Sequence, residues 1–190
     1  MRIVGGEFRG TKLYLPNNKD IRPTPERVKE AVFNILGANI KGALFLDLYA
    51  GSGSMGLEAL SRGASVVTMV ELEHMEVIRK NSVRCGINND KKLKVIHSPA
   101  QKAINVMLNL KDRYDLIYVD PPWHSKNMGD NALRALGLLS PSGILMLEAF
   151  KKTNLPDPNK EYKLYDSRKY GDTVIHFYRN EVDSRKNVVP

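Results

Sequence analysis

Ala43-Leu-Phe-Leu-Asp-Leu48 runs straight into Tyr49-Ala50-Gly51-Ser-Gly53-Ser-Met-Gly56. The first six residues are an apolar run of strand length. Leu57 and Leu60 after the glycines predict a helix, closed by Gly63. Outward from this unit the same alternation repeats. Ser65-Val-Val-Thr-Met-Val70 predicts a strand ending at Glu71, Glu73 to Cys85 a helix, and Leu93-Lys-Val-Ile96 a strand. Residues 99–110 predict a helix, Tyr114 to Val119 a strand, Ala132 to Leu139 a helix, and Gly143-Ile-Leu-Met-Leu147 a fifth strand. Two further strand-like runs, near Tyr162–Tyr165 and Thr173–Tyr178, have no convincing helix between them, which predicts an antiparallel finish. The whole predicts an α/β, Rossmann-like fold with a seven-stranded, mostly parallel sheet and an antiparallel last strand. Right-handed crossovers put every strand's C-terminal end on one rim, so the glycine loop, Glu71 and Asp120 are expected to converge there.

Residues 1–23 form a separate lead-in. Arg2, Arg9, Lys12 and Lys19 are interspersed with Gly5-Gly6 and Gly10, and short β-prone pieces flank the glycines, predicting a small hairpin or irregular arm. In Arg22-Pro-Thr-Pro-Glu-Arg27, Thr24 is the expected N-cap and Pro25 the first helical residue. Val28, Ala31, Val32, Ile35 and Leu36 then recur at helical spacing until Gly37. The expected organisation is an arm and helix over 1–41, a main domain over 42–180 and a polar tail over 181–190.

With 190 residues and 42% hydrophobic content, the chain suits one globular domain with a full core. No apolar stretch approaches the roughly 20 residues that span a bilayer, and the N-terminus shows no signal-peptide apolar region. Cys85 is the only cysteine, which fits a reducing, cytoplasmic compartment. Twenty-nine Lys and Arg against 21 Asp and Glu give a net charge of +8, which favours a polyanionic partner, nucleic acid first. His74, His97, His124 and His176 show no metal spacing, so no metal is expected.

Gly51-x-Gly53-x-x-Gly56, between a strand and a helix, lets a ligand approach the backbone closely. Glu71, 20 residues after Gly51 and at the next strand's end, is placed to accept both hydroxyls of a ribose. These features alone fit a nicotinamide dinucleotide nearly as well. Asp47 tilts the choice, because a carboxylate just before the loop repels a pyrophosphate and favours the positive end of S-adenosylmethionine. A loop or helix cap is the plainer role for Asp47. Ser98, followed by Pro99 and Ala100 at the third strand's exit, stands where such folds contact adenine, and capping the next helix is the alternative.

Asp120-Pro121-Pro122-Trp123 follows the fourth strand. The Asp120 carboxylate and the Pro121 carbonyl are two acceptors for the two N–H bonds of a nucleobase amine, whose lone pair is otherwise delocalised into the ring. Consecutive prolines fix the carbonyl direction in advance, and Trp123 can stack on the base. Together with the cofactor loop this predicts methyl transfer from S-adenosylmethionine to an exocyclic amine. Arg2, Arg9, Arg22, Thr24 and Arg27 are the candidate RNA-contacting residues of the arm and first helix, with a salt-dependent grip on phosphates.

At these residues the chain resembles a known family. Met1-Arg-Ile-Val-Gly-Gly-Glu-Phe-Arg-Gly10, Arg22-Pro-Thr-Pro-Glu-Arg-Val-Lys-Glu-Ala-Val-Phe-Asn34, Leu46 through Ala64, Asp120-Pro-Pro-Trp123 and Lys169-Tyr-Gly-Asp-Thr173 look like the RsmD-type 16S ribosomal RNA guanine-N2 methyltransferases. The likeness runs from Met1 to about Tyr178. It implies a class I S-adenosylmethionine-dependent methyltransferase fold, a guanine in small-subunit RNA as target, and the small ribosomal subunit or its assembly intermediate as partner of a monomer. By motif match, Asp47, Gly51, Gly53, Gly56 and Glu71 fall to the cofactor and Asp120 to Trp123 to the target amine. Ser98 stands where such proteins commonly carry Asp, and Pro25-Glu26 replaces a more usual acidic-first pair. A DNA adenine-N6 methyltransferase, a non-catalytic ribosomal RNA-binding assembly factor and a nicotinamide oxidoreductase remain the competing readings.

Overall fold

The computed structural model describes residues 1–16, 24–87, 91–122, 128–155, 157–158 and 160–181. The chain divides into two compact units, Met1–Ala100 and Gln101–Pro190.

In the first unit the arm folds back on itself through an antiparallel bridge between Arg2 and Lys12, with Ile3 N–H donating to the Thr11 carbonyl and Leu13 N–H to that of Met1. Helix α1 (Glu26–Leu36) follows, ended by Gly37 at φ 52°. It starts later than expected. Pro25 keeps an extended ψ of 144° and occupies the N-cap position, and its carbonyl accepts the Val28 and Lys29 amides, so Thr24 is not the cap. The buried face of α1 includes Phe33, whereas Ile35 points out and is 39% exposed.

Strands β1 (Leu44–Leu48), β2 (Val66–Glu71) and β3 (Leu93–His97) form a parallel ladder with β2 in the middle, linked by α2 (Ser54–Ser61) and α3 (Met75–Arg84). Phe45, Leu46, Leu48, Val67 and Met69 are fully buried, as strands covered on both faces require. All eight residues of α2 are buried. Its close seat on β2 depends on Gly56, where a Cβ would lie 2.5 Å from the Met69 Cε and 2.9 Å from the Val67 Cγ1.

The second unit holds most of α4 (Ala100–Leu110), then β4 (Tyr114–Val119), α5 (Met128–Leu136), β5 (Leu139–Phe150), β6 (Tyr162–Tyr170) and β7 (Thr173–Asn180). β4 and β5 pair in parallel, while β7 runs antiparallel to both β5 and β6. Gly171, at φ 66°, sits in the tight turn that joins β6 to β7. The expected fold class is borne out: α/β alternation, parallel strands, and a final strand that reverses.

The boundaries of α5 and β5 differ from expectation. α5 begins at Met128, four residues before Ala132, with Asp130 in its first turn, where a carboxylate suits the helix dipole. β5 extends on both sides of the expected Gly143–Leu147. Tyr114 pairs with Leu139 and Leu116 with Ile144, so Ser140-Pro-Ser-Gly143 leaves the ladder as a bulge. That bulge is held by side chains, with the Ser140 hydroxyl donating to Asp115 Oδ1 (2.8 Å) and Asn180 Nδ2 donating to the Ser140 and Pro141 carbonyls. Among the described residues no helix is long and apolar enough to cross a membrane, and no cluster of three His, Cys, Asp or Glu side chains could hold a metal ion.

Candidate active site

The loop after β1 uses three residues in the left-handed region within five positions: Tyr49 (φ 66°), Gly51 (φ 55°) and Gly53 (φ 76°). For the glycines this conformation carries no side-chain penalty. For Tyr49 it costs on the order of 1 kcal/mol, a strain that surrounding bonds must hold in place. Ala50 N–H donates to the Val70 carbonyl (3.0 Å), Gly53 N–H to that of Ala50 (2.7 Å), and Leu57 N–H to that of Gly53 (2.9 Å). Tyr49 was not legible as a special position, since nothing in its residue type announces a positive φ. Gly56 packs α2 on the sheet. Gly53 also lies close to it, a Cβ there falling 3.2 Å from the Met69 Sδ.

Two buried carboxylates brace the loop from β1 and β2. Asp47 is 2% exposed, and its Oδ2 accepts the Gly56 N–H at 2.9 Å. Burial pushes its pKa up to about 7, with the charge of Glu71 adding and the Gly56 bond opposing. Glu71 ends β2. Its Oε2 accepts Gly51 N–H (2.6 Å), and its Oε1 accepts the amides of Leu72 (2.9 Å), Glu73 (2.8 Å) and His74 (3.2 Å). Oε1 thus carries three of these bonds and Oε2 one, which leaves acceptor capacity on Oε2 for one further donor. The sequence marks both acids, but it does not show that the loop's own amides bind them.

At the exit of β3, Ser98 N–H donates to the Glu71 carbonyl (3.1 Å), and the Ser98 hydroxyl donates to the Pro99 carbonyl (3.1 Å). Ala100 is buried and opens α4. Because β1, β2 and β3 are parallel, the glycine loop, Glu71 and Ser98 share the C-terminal rim of this unit's sheet.

In the second unit the corresponding end of β4 carries Asp120, half-buried, then Pro121, buried, and Pro122, exposed; Trp123 and His124 lie outside the described residues. Tyr118, two residues before Asp120, donates its hydroxyl to Glu148 Oε2 on β5, and both side chains are buried. An acid closing the apolar run Ile144-Leu-Met-Leu147 was the available signal for this pair.

The arm is fastened to α1 and α2 by a buried ionic cluster. Lys29 and Glu58 are both 0% exposed, with Nζ 3.4 Å from Oε2, and Arg62 Nε lies 2.7 Å from Glu58 Oε1. Lys29 also donates to the Arg2 carbonyl (2.7 Å), and Val4 N–H donates to Glu58 Oε2 (2.8 Å). Burial lowers the Lys29 pKa, against the pull of Glu58. Phe8 N–H donates to the Ser61 hydroxyl, and Glu7 N–H to the Ser61 carbonyl. Gly6 permits this docking: at φ 76°, a Cβ there would sit 1.8 Å from the Ser61 carbonyl oxygen. Of the candidate RNA-contacting residues, Arg2, Arg9 and Arg27 are exposed, Arg2 being paired with Glu26 at 3.1 Å. Thr24 is 5% exposed, and Arg22 lies outside the described residues.

A parallel strand, a glycine loop opening a helix, and an acid ending the next strand place the chain in the Rossmann-like class to which methyltransferases belong. The family model described as conserved hypothetical protein 95 matches residues 1–179. Ribosomal RNA small subunit methyltransferase D of Escherichia coli K12 is 30% identical over 191 residues, spanning 98% of this chain and 93% of that protein. The solved structure of yhhF from Escherichia coli is 30% identical and superposes with a TM-score of 0.80 over 95% of this chain and 98% of that one. The fold extends to SMU.776, a structure complexed with SAH, at 14% identity and a TM-score of 0.67 over 84% of this chain and 50% of that one. The chain belongs to the conserved hypothetical protein 95 family, that of ribosomal RNA small subunit methyltransferase D, and is a methyltransferase of that family.

Proposed function

We propose that this chain transfers a methyl group from S-adenosylmethionine to the exocyclic N2 amine of a guanine in 16S ribosomal RNA, presented by the small subunit or its assembly intermediate. The observation that carries the reading is the presence of two strand-end devices in one chain, one in each unit. One is a glycine loop braced by Asp47 and Glu71; the other is Asp120-Pro121-Pro122 at the end of β4. Full-length likeness to the Escherichia coli ribosomal RNA enzyme supports the choice of substrate. The lone Cys85 suits a reducing compartment such as the cytoplasm, and the positive net charge suits work on RNA.

The residues present fit the cofactor. Gly51, where a Cβ would meet nothing nearer than the Tyr49 carbonyl oxygen at 4.0 Å, leaves the loop backbone open to an adenosyl group, and Asp47 and Glu71 give the rim a negative potential that suits a sulfonium. When bound, S-adenosylmethionine supplies a methyl carbon bonded to a positively charged sulfur. Asp120 and the Pro121 carbonyl would accept the two N–H bonds of the guanine amine and so free its lone pair for attack on a methyl donor. The proton given up by the amine would leave along its hydrogen bond to Asp120. Orientation and matched charge supply the acceleration, with no covalent enzyme intermediate.

Transfer of labelled methyl from the cofactor to small-subunit particles, compared with duplex DNA, tests the reading. Label in 16S RNA is expected, with Asp120→Ala lowering the rate at least about a hundredfold while cofactor affinity holds. Label in DNA alone, or full activity of the Asp120→Ala protein, overturns it.

A further inference from the structure

The arm carries a feature that the transfer chemistry does not use. Ile3 and Leu13 turn inward, so Arg2, Lys12 and Tyr14 turn outward, with Arg2 and Lys12 directly opposite each other in the bridge. Tyr14 is 50% exposed, and the Arg84 guanidinium, from the end of α3, sits 4.6 Å from its ring centroid. Among the described residues no carboxylate lies within ion-pair distance of Arg84.

A half-exposed tyrosine is usually mobile, and this one is not free to move its backbone. Asn81, fully buried on α3, accepts the Tyr14 N–H through Oδ1 (2.7 Å) and donates through Nδ2 to the Tyr14 carbonyl (3.0 Å). The same Nδ2 donates to the carbonyl of Ser52 in the glycine loop (2.8 Å). One buried amide therefore ties the Tyr14 backbone to the candidate cofactor loop. A half-exposed ring on a tethered backbone, a guanidinium over its face and the Lys12 ammonium on the same side match a single-stranded nucleic acid, whose bases stack while its phosphates pair with the cations.

We propose that Tyr14 and Arg84 form a stacking plate for an unpaired base of the RNA, flanked by a phosphate contact from Lys12. The inference rests on the reading of the chain as acting on RNA, and adds a surface by which RNA is gripped besides the reacting amine. Asn81 is a positioning residue in this arrangement and Tyr14 the contacting one. Because Asn81 holds the Tyr14 backbone, the side chain can be changed without cutting the tether.

The test uses the full chain, a fluorescently labelled single-stranded oligoribonucleotide of mixed sequence, and methyl transfer to small-subunit particles. Tyr14→Ala is expected to weaken oligoribonucleotide binding about five- to hundredfold, to raise KM for the particle with kcat within about twofold, and to leave cofactor affinity unchanged. Tyr14→Phe retains the plane and is expected to bind like the wild type; Leu110→Ala, at an exposed position elsewhere, serves as control. If Tyr14→Ala binds like the wild type, or Tyr14→Phe loses as much as Tyr14→Ala, the plate is overturned while the proposed function stands. If Lys12→Ala and Arg84→Ala weaken binding and Tyr14→Ala does not, the surface is a phosphate contact only and the stacking proposal fails. A wild-type protein that neither binds the oligoribonucleotide nor methylates particles overturns the reading of function and the plate with it.

Discussion

Asp47→Asn isolates the electrostatic cost of bracing the glycine loop with a buried acid. An asparagine side-chain oxygen can keep the bond from Gly56 N–H, so the loop retains its anchor while the titrating group is lost. Burial raises the folded pKa of Asp47 from 3.8 to about 7. The folded chain thus holds this proton more tightly than the unfolded chain does, and its stabilising contribution is fully present below about pH 4 and lost as pH rises through 7. A shift of about 3 units at 1.36 kcal/mol per unit corresponds to about 4 kcal/mol over the whole span, of which about 2–3 kcal/mol falls between pH 5 and pH 8. The Asp47→Asn protein lacks that slope. Its stability relative to wild type should therefore improve by about 2–3 kcal/mol from pH 5 to pH 8, whatever constant offset the new buried NH2 group adds. Urea denaturation of both proteins at the two pH values measures the difference directly. Parallel pH dependences, agreeing within about 0.5 kcal/mol, would refute the argument that Asp47 is held as an uncompensated buried acid. On the proposed function, the same variant should also bind S-adenosylmethionine more weakly at pH 8, where the wild-type carboxylate is charged.

Gly56→Ala drives a methyl group into the Met69 and Val67 side chains, and a loss of about 1–3 kcal/mol by urea denaturation is expected. Gly6→Ala meets a backbone carbonyl at a positive φ and should cost more than Gly56→Ala, measured as a larger drop in denaturation midpoint. Lys29→Met leaves Glu58 with Arg62 as its remaining cation, and should destabilise by about 2–4 kcal/mol. Adding Glu58→Leu to Lys29→Met removes the stranded charge and should recover part of that loss in a double-mutant cycle.

What the sequence revealed was local. A six-residue apolar run, glycines at fixed offsets and an acid ending the next strand require no distant partner to be recognised, and β1, α2 and β2 fell where expected. Asp120-Pro121-Pro122 was likewise legible because proline chemistry is written in the residues themselves. The misplaced β5 boundary has a plain cause: the strand contains Pro141 and Gly143, which normally end a strand, and only the side chains of Asp115 and Asn180 show how the ladder resumes beyond them. Lys29 and Glu58 look like ordinary surface charges on two helices until the arm covers both. The bonds of Asp47 and Glu71 to loop amides were similarly hidden, because backbone donors leave no mark on residue type.

The contacts that hold the arm carry a cost in time. Val4 waits for Glu58, Phe8 for Ser61 and Tyr14 for Asn81, separations of 54, 53 and 67 positions. Residues 1–16 are thus among the last in this unit to find their places, since their docking ground is synthesised well after them. Translation past Asn81 is the earliest moment at which the nascent chain can complete the seating of this arm.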